Sequence, residues 1–197
     1  MLYYSPQIWC SDDTDAIERL KIQEGTALIY PLSCMGAHVS DCPNHAVGRV
    51  TPFETRGYVA LAGTFGYELD VTRIPEEDRN MIPEQVAMYH KYNDLVREGD
   101  YYRIASYSIN HYYDTWSVVS KDKKEALITY IQVLAEANCH TRRIKLKGLK
   151  PEWNYKVEET GEIYSGEALM YAGIHIKRIN GDFKGMLIHL EAQVDEK

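Results

Sequence analysis

Near Ile109 the hydrophobic period of this 197-residue chain changes, and with it the kind of sheet that the sequence can build. Upstream, short apolar runs alternate with helix signals. Gln7–Cys10 reads as a short buried strand. Asp15 and Glu18 then have the spacing of a capping box, Ile17, Leu20 and Ile22 give an apolar helix face, and Gly25 marks a stop. Thr26–Leu32 reads as a second strand, and Ser33–Val50 as a long loop. Thr51-Pro52-Phe53-Glu54 places Thr at an N-cap, Pro at the first helical position and Glu at the third, opening a helix to about Ala62. Thr64–Val71 predicts a third strand, and Pro75–Asp78 a short helical turn. Pro83 opens a longer helix faced by Val86, Tyr89, Tyr92, Leu95 and Val96 and ended by Gly99. Strand and helix in alternation imply βαβ units and a parallel sheet.

Downstream the period is two. Trp116–Val119 and Ala126–Leu134 flank a charged turn at Lys121–Lys124. Ile144–Lys147, the stretch around Tyr155 and Val157, and Met186–Leu190 alternate as half-buried strands do. Turn signals stand at Gly148, Thr160-Gly161 and Asn180-Gly181-Asp182. The fold class expected is therefore α/β over residues 1–108 followed by an antiparallel all-β domain over 109–197.

Composition excludes several functions. A net charge of −7 repels phosphate backbones, so nucleic acid is not expected as a partner. No apolar run is long enough to span a membrane, and the N-terminus has no secretory pattern. Cys10, Cys34, Cys42 and Cys139 show no disulfide framework, so reduced thiols and a cytoplasmic setting are expected. The 16 tyrosines, against three phenylalanines, suit sugar-binding or subunit surfaces, and equally the rim of an ordinary core.

Asp12, Asp13 and Asp15 crowd the point where the first strand ends and the first helix begins. In an α/β barrel that is the face that carries active sites. An acid there, beside Trp9 and among like charges, can hold its proton to higher pH, as a glycosidase general acid must. Acids before a helix also serve as N-caps. The helix-side residues, Asp13 to Asp15, suit capping, which leaves Asp12 free for chemistry. In the loop beyond, Cys34, His38, Cys42 and His45 have four-ligand zinc chemistry, although their spacing departs from common structural zinc motifs. The same loop suits a sugar pocket lined by His38. In the β domain, Trp153 and Tyr155 could stack on a sugar, but alternation on a strand more often buries such residues.

The string from Tyr4 to Ala16, with Trp9-Cys10-Ser11-Asp12-Asp13-Thr14-Asp15 at its centre, resembles the acid/base segment of bacterial α-galactosidases of glycoside hydrolase family 36. Met35–Ser40 with Pro43-Asn44-His45, Thr51–Arg56 and Phe65–Asp70 resemble later parts of that family in order, and the resemblance continues to the C-terminus. It implies that the first half is the last part of a (β/α)8 barrel, about strands six to eight, and that the second half is the family's C-terminal antiparallel β-sandwich. The implied activity is hydrolysis of terminal α-galactosyl residues of the melibiose and raffinose type, with retention. Asp12 matches the general acid/base, while Trp9 and His38 are candidates for substrate contact. The resemblance calls for no cofactor or metal, and it suggests a homo-oligomer, a tetramer in the full-length enzyme. The family nucleophile lies in a Lys-Trp-Asp motif. Here Trp9, Trp116 and Trp153 precede Cys10, Ser117 and Asn154, so these residues carry no such motif. The expectation is a fragment that is inactive by itself; the alternatives are a half-enzyme that needs a complementing chain and a non-catalytic carbohydrate-binding or assembly module.

Overall fold

The computed structural model describes residues 2–194, which form two compact units. The first comprises the chain to Arg97 with Phe183–Gly185, and the second comprises Glu98–Asp182 with the remaining C-terminal residues.

In the first unit Ile8 makes a single parallel bridge to Met35, with Ile8 N donating to the Cys34 carbonyl at 2.7 Å and Gly36 N donating to the Ile8 carbonyl at 2.9 Å. The expected strand at Gln7–Cys10 is thus reduced to one bridge. Helix α1, Ala16–Ala27, begins where its capping pattern predicts, with Asp15 accepting from Ile17 N and Glu18 N. Glu18 does not close the box; its carboxylate pairs with Arg49. The apolar segment Thr26–Leu32, which predicts a strand, instead holds the end of α1, with Leu28 and Ile29 exposed. Gly25 stays inside the helix because it faces open space, where a glycine costs about 1 kcal/mol and forces no turn.

The strand falls later, inside the expected loop: β1 is Gly36–Ser40. It pairs in parallel with β2, Thr64–Glu68, in the register Gly36↔Thr64 to Ser40↔Glu68. Helix α2, Phe53–Ala60, joins them. Its N-cap is Pro52 and not Thr51, whose hydroxyl is buried without a partner among the described residues. The entry to α2 is instead tied by Arg56, which donates to the carbonyls of Thr51 and Ser40 and to the Asp78 carboxylate. Val39, Phe53 and Ala60 form the core between sheet and helix, joined by Phe65 and Tyr67.

Helix α3 is continuous over Glu76–Glu98, so Pro83 does not open a new helix but lies within one. An internal proline removes one helical hydrogen bond. Tertiary contacts offset that loss. Gln85 donates to the Phe53 carbonyl at 2.8 Å and accepts from the Tyr67 hydroxyl at 3.0 Å, while burial pushes the Tyr67 phenol up to about 12.

The second unit is a β-sandwich. Its larger sheet contains β3 (Asp100–Ala105), β4 (Tyr113–Val119), β5 (Glu125–Gln132), β7 (Asn154–Val157), β8 (Ile163–Ser165) and β10 (Lys184–Ala192), in the order β3-β4-β5-β10-β7-β8. The smaller sheet pairs β6, Arg142–Ile144, with β9, Ile174–Ile176. The boundary expected from sequence lies after residue 108, while the compact units divide between Arg97 and Glu98 because β3 pairs antiparallel with β4. Helices α4, Tyr107–Asn110, and α5, Gly166–Tyr171, are single turns or little more that the sequence pattern does not announce. Val119, Ile128 and Tyr130 of the larger sheet share one core with Ile144, Ile174 and Ile176 of the smaller.

His189 of β10 is 1% exposed, and both its ring nitrogens meet carboxylates: Nδ1 faces Glu158 and Nε2 faces Glu125 at 2.7 Å. Burial alone would lower its pKa, but the two carboxylates outweigh burial and raise it. A raised folded-state pKa stabilises the fold fully below the unfolded imidazole value of about 6.5 and loses that contribution as pH climbs through the folded value. The stability lost in His189→Gln should therefore be larger at about pH 6 than at about pH 9, as read by urea unfolding. A deficit equal at both pH values would mean that the site does not hold an imidazolium.

Candidate active site

The residues singled out at the first strand-to-helix junction lie together. The Trp9 indole Nε1 donates to Asp12 Oδ1 at 3.1 Å. The Trp9 and His38 rings stand 4.7 Å apart at 53°. Trp9 is 39% exposed, so much of its ring stays available beside an exposed Asp12.

The three acids divide by geometry. Asp15 is buried and spends Oδ1 on two helix N–H groups, with Arg49 as its ion partner. Asp13 Oδ1 accepts from Asp15 N at 3.1 Å, so it too serves the turn. Among the described residues Asp12 receives no backbone N–H; its hydrogen bond comes from Trp9. Asp13 and Asp15 thus take the capping places expected of the helix-side acids.

The strands set the rest. Alternation along β1 packs Val39 into the core with α2 and leaves His38 half-buried, on the other side of the strand. Its register partner is Gly66, where a Cβ would come within 2.9 Å of the His38 ring. Glycine there makes room for the imidazole. Behind Trp9, a Cβ on Gly36 would lie 3.0 Å from the indole. Burial lowers the His38 pKa, the Arg19 cation adds to that, and Glu68 opposes it. At neutral pH the ring is therefore neutral, able to donate from one nitrogen and accept at the other.

Beneath the loop lies Arg19, 2% exposed, which donates to the Ser11 carbonyl at 3.3 Å, to the Gly36 carbonyl and to Gln23 Oε1 at 3.2 Å. Its guanidinium carbon is 5.6 Å from the Trp9 ring centre. Gln23 in turn donates to the Val59 carbonyl of α2 at 3.0 Å. One buried cation thus ties α1, the acid-bearing loop and β1 together.

The profile of the Melibiase family matches residues 1–99, and that of the glycosyl hydrolase family 36 C-terminal domain matches residues 113–190. The chain belongs to the melibiase family, glycoside hydrolase family 36. The α-galactosidase AgaA of Geobacillus stearothermophilus is 49% identical over 98% of this chain, which spans 26% of that protein. The bifunctional α-galactosidase/sucrose kinase AgaSK of Mediterraneibacter gnavus is 48% identical over 93% of the chain and 20% of its own length. The solved α-galactosidase from Lactobacillus brevis superposes with a TM-score of 0.95 at 40% identity, over 100% of this chain and 28% of that one. A variant of AgaA solved in complex with raffinose superposes with a TM-score of 0.93 at 48% identity, over 98% of this chain and 26% of that one. The chain thus spans about a quarter of the length of these relatives.

In this melibiase-family chain the zinc alternative fails on geometry. The Cys34 thiol donates to the Pro31 carbonyl at 3.0 Å, the Cys42 thiol faces the Thr51 carbonyl at 3.7 Å, and His38 packs on Trp9. Among the described residues no three His, Cys, Asp or Glu side chains gather to hold a metal. Tyr155, considered for sugar stacking, is 0% exposed; its hydroxyl donates to the Lys123 carbonyl at 2.9 Å. Trp153 packs on the same core under the Lys150 ammonium. A concavity of about 500 Å³ runs beside α1 and includes Trp9 but neither Asp12 nor His38, so it is not the place where these three meet. The sequence does not single out Arg19 or Glu68. The one signal that could have found Arg19 is a charged residue lying between the apolar positions Ile17 and Leu20.

Proposed function

We propose that this segment supplies Asp12 as the general acid/base of a retaining α-galactosidase acting on raffinose-type and melibiose-type sugars. The observation that carries this reading is the exposed Asp12 carboxylate on the Trp9 N–H while its acidic neighbours are consumed by the helix start. A carboxylic acid so placed protonates the departing glycosidic oxygen, and as a carboxylate it then takes the proton of the water that resolves the glycosyl-enzyme. Trp9 and His38 contact the sugar. Retention needs a second carboxylate about 5–5.5 Å from the first. None of the tryptophans of residues 1–197 precedes an aspartate, so the nucleophile of the Lys-Trp-Asp type belongs to other residues. The free thiols of Cys10, Cys34, Cys42 and Cys139 support a cytoplasmic setting. No helix among the described residues is long and apolar enough to cross a membrane. A homo-oligomer, a tetramer at full length, is part of the same reading.

The purified 197-residue polypeptide, shown to be folded, should release no nitrophenol from a nitrophenyl α-galactoside above the uncatalysed rate. Turnover by that polypeptide alone would overturn the assignment of the nucleophile elsewhere. A second reading, a half-enzyme that works with a separate chain, is favoured by the exposed Leu28 and Ile29 at 69% and 80%. Activity appearing only on mixing with a polypeptide that carries the family's preceding strands would select it.

A further inference from the structure

One cavity is lined wholly by residues of the second unit, away from Trp9, Asp12 and His38. It encloses about 520 Å³, within the range of small-molecule sites. Its floor is Tyr130, 1% exposed, and Arg142. The Arg142 guanidinium lies over the Tyr113 ring at 4.2 Å and donates to the Tyr130 hydroxyl and to Glu136. Those contacts fix the cation in place, with 15% of its side chain exposed.

Around the mouth stand His140, His175, Lys177 and Arg178, all exposed. Among the described residues none of these four side chains has a hydrogen bond or ion pair. Glu136 is the one carboxylate in the described lining, and it is already held by Arg142. In a chain of net charge −7, a concavity with three permanent cations, two imidazoles and one neutralised acid is a local reversal of sign. Such a site attracts anions, and exposed unpaired cations on a concave wall are free to bind them. The lining offers no exposed Phe, Tyr or Trp face, which a neutral sugar would use. The cavity is also roomier than a bare oxyanion needs, and Ile179 and Ala137 give it apolar walls.

We propose that this end of the sandwich binds a small phosphorylated ligand, with Lys177, Arg178 and the two imidazoles on the phosphate and the organic part against the cavity wall. The test titrates the full chain with inorganic phosphate, a hexose monophosphate and neutral galactose by calorimetry at low salt. Saturable binding below about 10 mM is expected for the hexose phosphate. Inorganic phosphate binding as tightly would assign the site to the free anion, and tenfold weaker binding would assign it to a phosphate ester; either supports the proposal. Lys177→Glu with Arg178→Glu should weaken binding by about tenfold or more, since both positions are exposed and leave the Arg142 floor intact. Lys156→Glu, an exposed charge reversal on β7, should leave it unchanged. No binding of either phosphate, galactose binding as tightly as its phosphate, or equal losses in the control variant would each overturn the proposal.

Discussion

Asp12→Ala in a full-length α-galactosidase that contains this segment should slow raffinose hydrolysis by roughly 10²–10⁴-fold, the range that a positioned general acid contributes. The loss should depend on the leaving group. From raffinose the rest of the sugar leaves as a poor alkoxide that needs the proton, whereas an activated aryl galactoside loses its phenoxide with little protonation. Formation of the glycosyl-enzyme from the aryl substrate should therefore be much less affected. Its breakdown still needs the base, so the intermediate should accumulate and give a burst of phenol before slow steady turnover. Stopped-flow absorbance reads the burst, and equal losses for both substrates would remove Asp12 from the acid role. The neighbouring acids make the control. Asp15 caps two N–H groups of α1, so Asp15→Ala should cost about 0.5–2 kcal/mol of stability. Among the described residues Asp12 accepts from no backbone donor, and Asp12→Ala should leave the unfolding midpoint nearly unchanged.

The contrast among these acids shows which parts of the structure are legible in the sequence. The start of α1 is, because an N-cap is a local bargain between a side chain and N–H groups two and three residues away, and its spacing is visible along the chain. The β4–β5 hairpin around Lys121–Lys124 is legible for the same reason, since alternation and turn chemistry are both short-range. β1 is not. Its face opposite the core carries Gly36, His38 and Ser40, because Trp9 and the His38 ring need the space, and Ala37 and Val39 alone are too little apolar signal to mark a strand. Thr26–Leu32 has the stronger apolar pattern yet remains at the end of a helix with Leu28 and Ile29 exposed. The continuity of α3 through Pro83 is likewise decided at long range, by Gln85 bonding to Phe53 and Tyr67 far away in sequence. The capping by Asp13 and Asp15 was legible because both stand at the start of the helix. The cation that holds their loop was not, since Arg19 acts on carbonyls eight and seventeen residues away.

That buried cation carries the second large effect. Arg19→Met keeps much of the side-chain volume but leaves the Ser11 and Gly36 carbonyls and Gln23 Oε1 without their donor. A buried acceptor left unpaired costs about 1–3 kcal/mol, and losing partners at these sites together should destabilise the fold by about 3 kcal/mol or more. Arg19→Lys should recover part of this, since an ammonium keeps the charge but cannot span the same acceptors with a planar fork. Burial pulls the Arg19 pKa below its ordinary value while Cys10, Glu68 and Asp13 pull it back, and a guanidinium stays charged throughout. The residue also has a positioning role, which kinetics separates from stability. Ser11 precedes Asp12 directly, and Trp9, which holds the Asp12 carboxylate, lies within reach of the same guanidinium. In full-length enzyme assayed well below its unfolding midpoint, Arg19→Lys should lower kcat for raffinose more than for an activated aryl galactoside, the signature of a misplaced proton donor. A purely structural arginine would lower both in proportion to the folded fraction, and that outcome would leave Arg19 as a strut and nothing more.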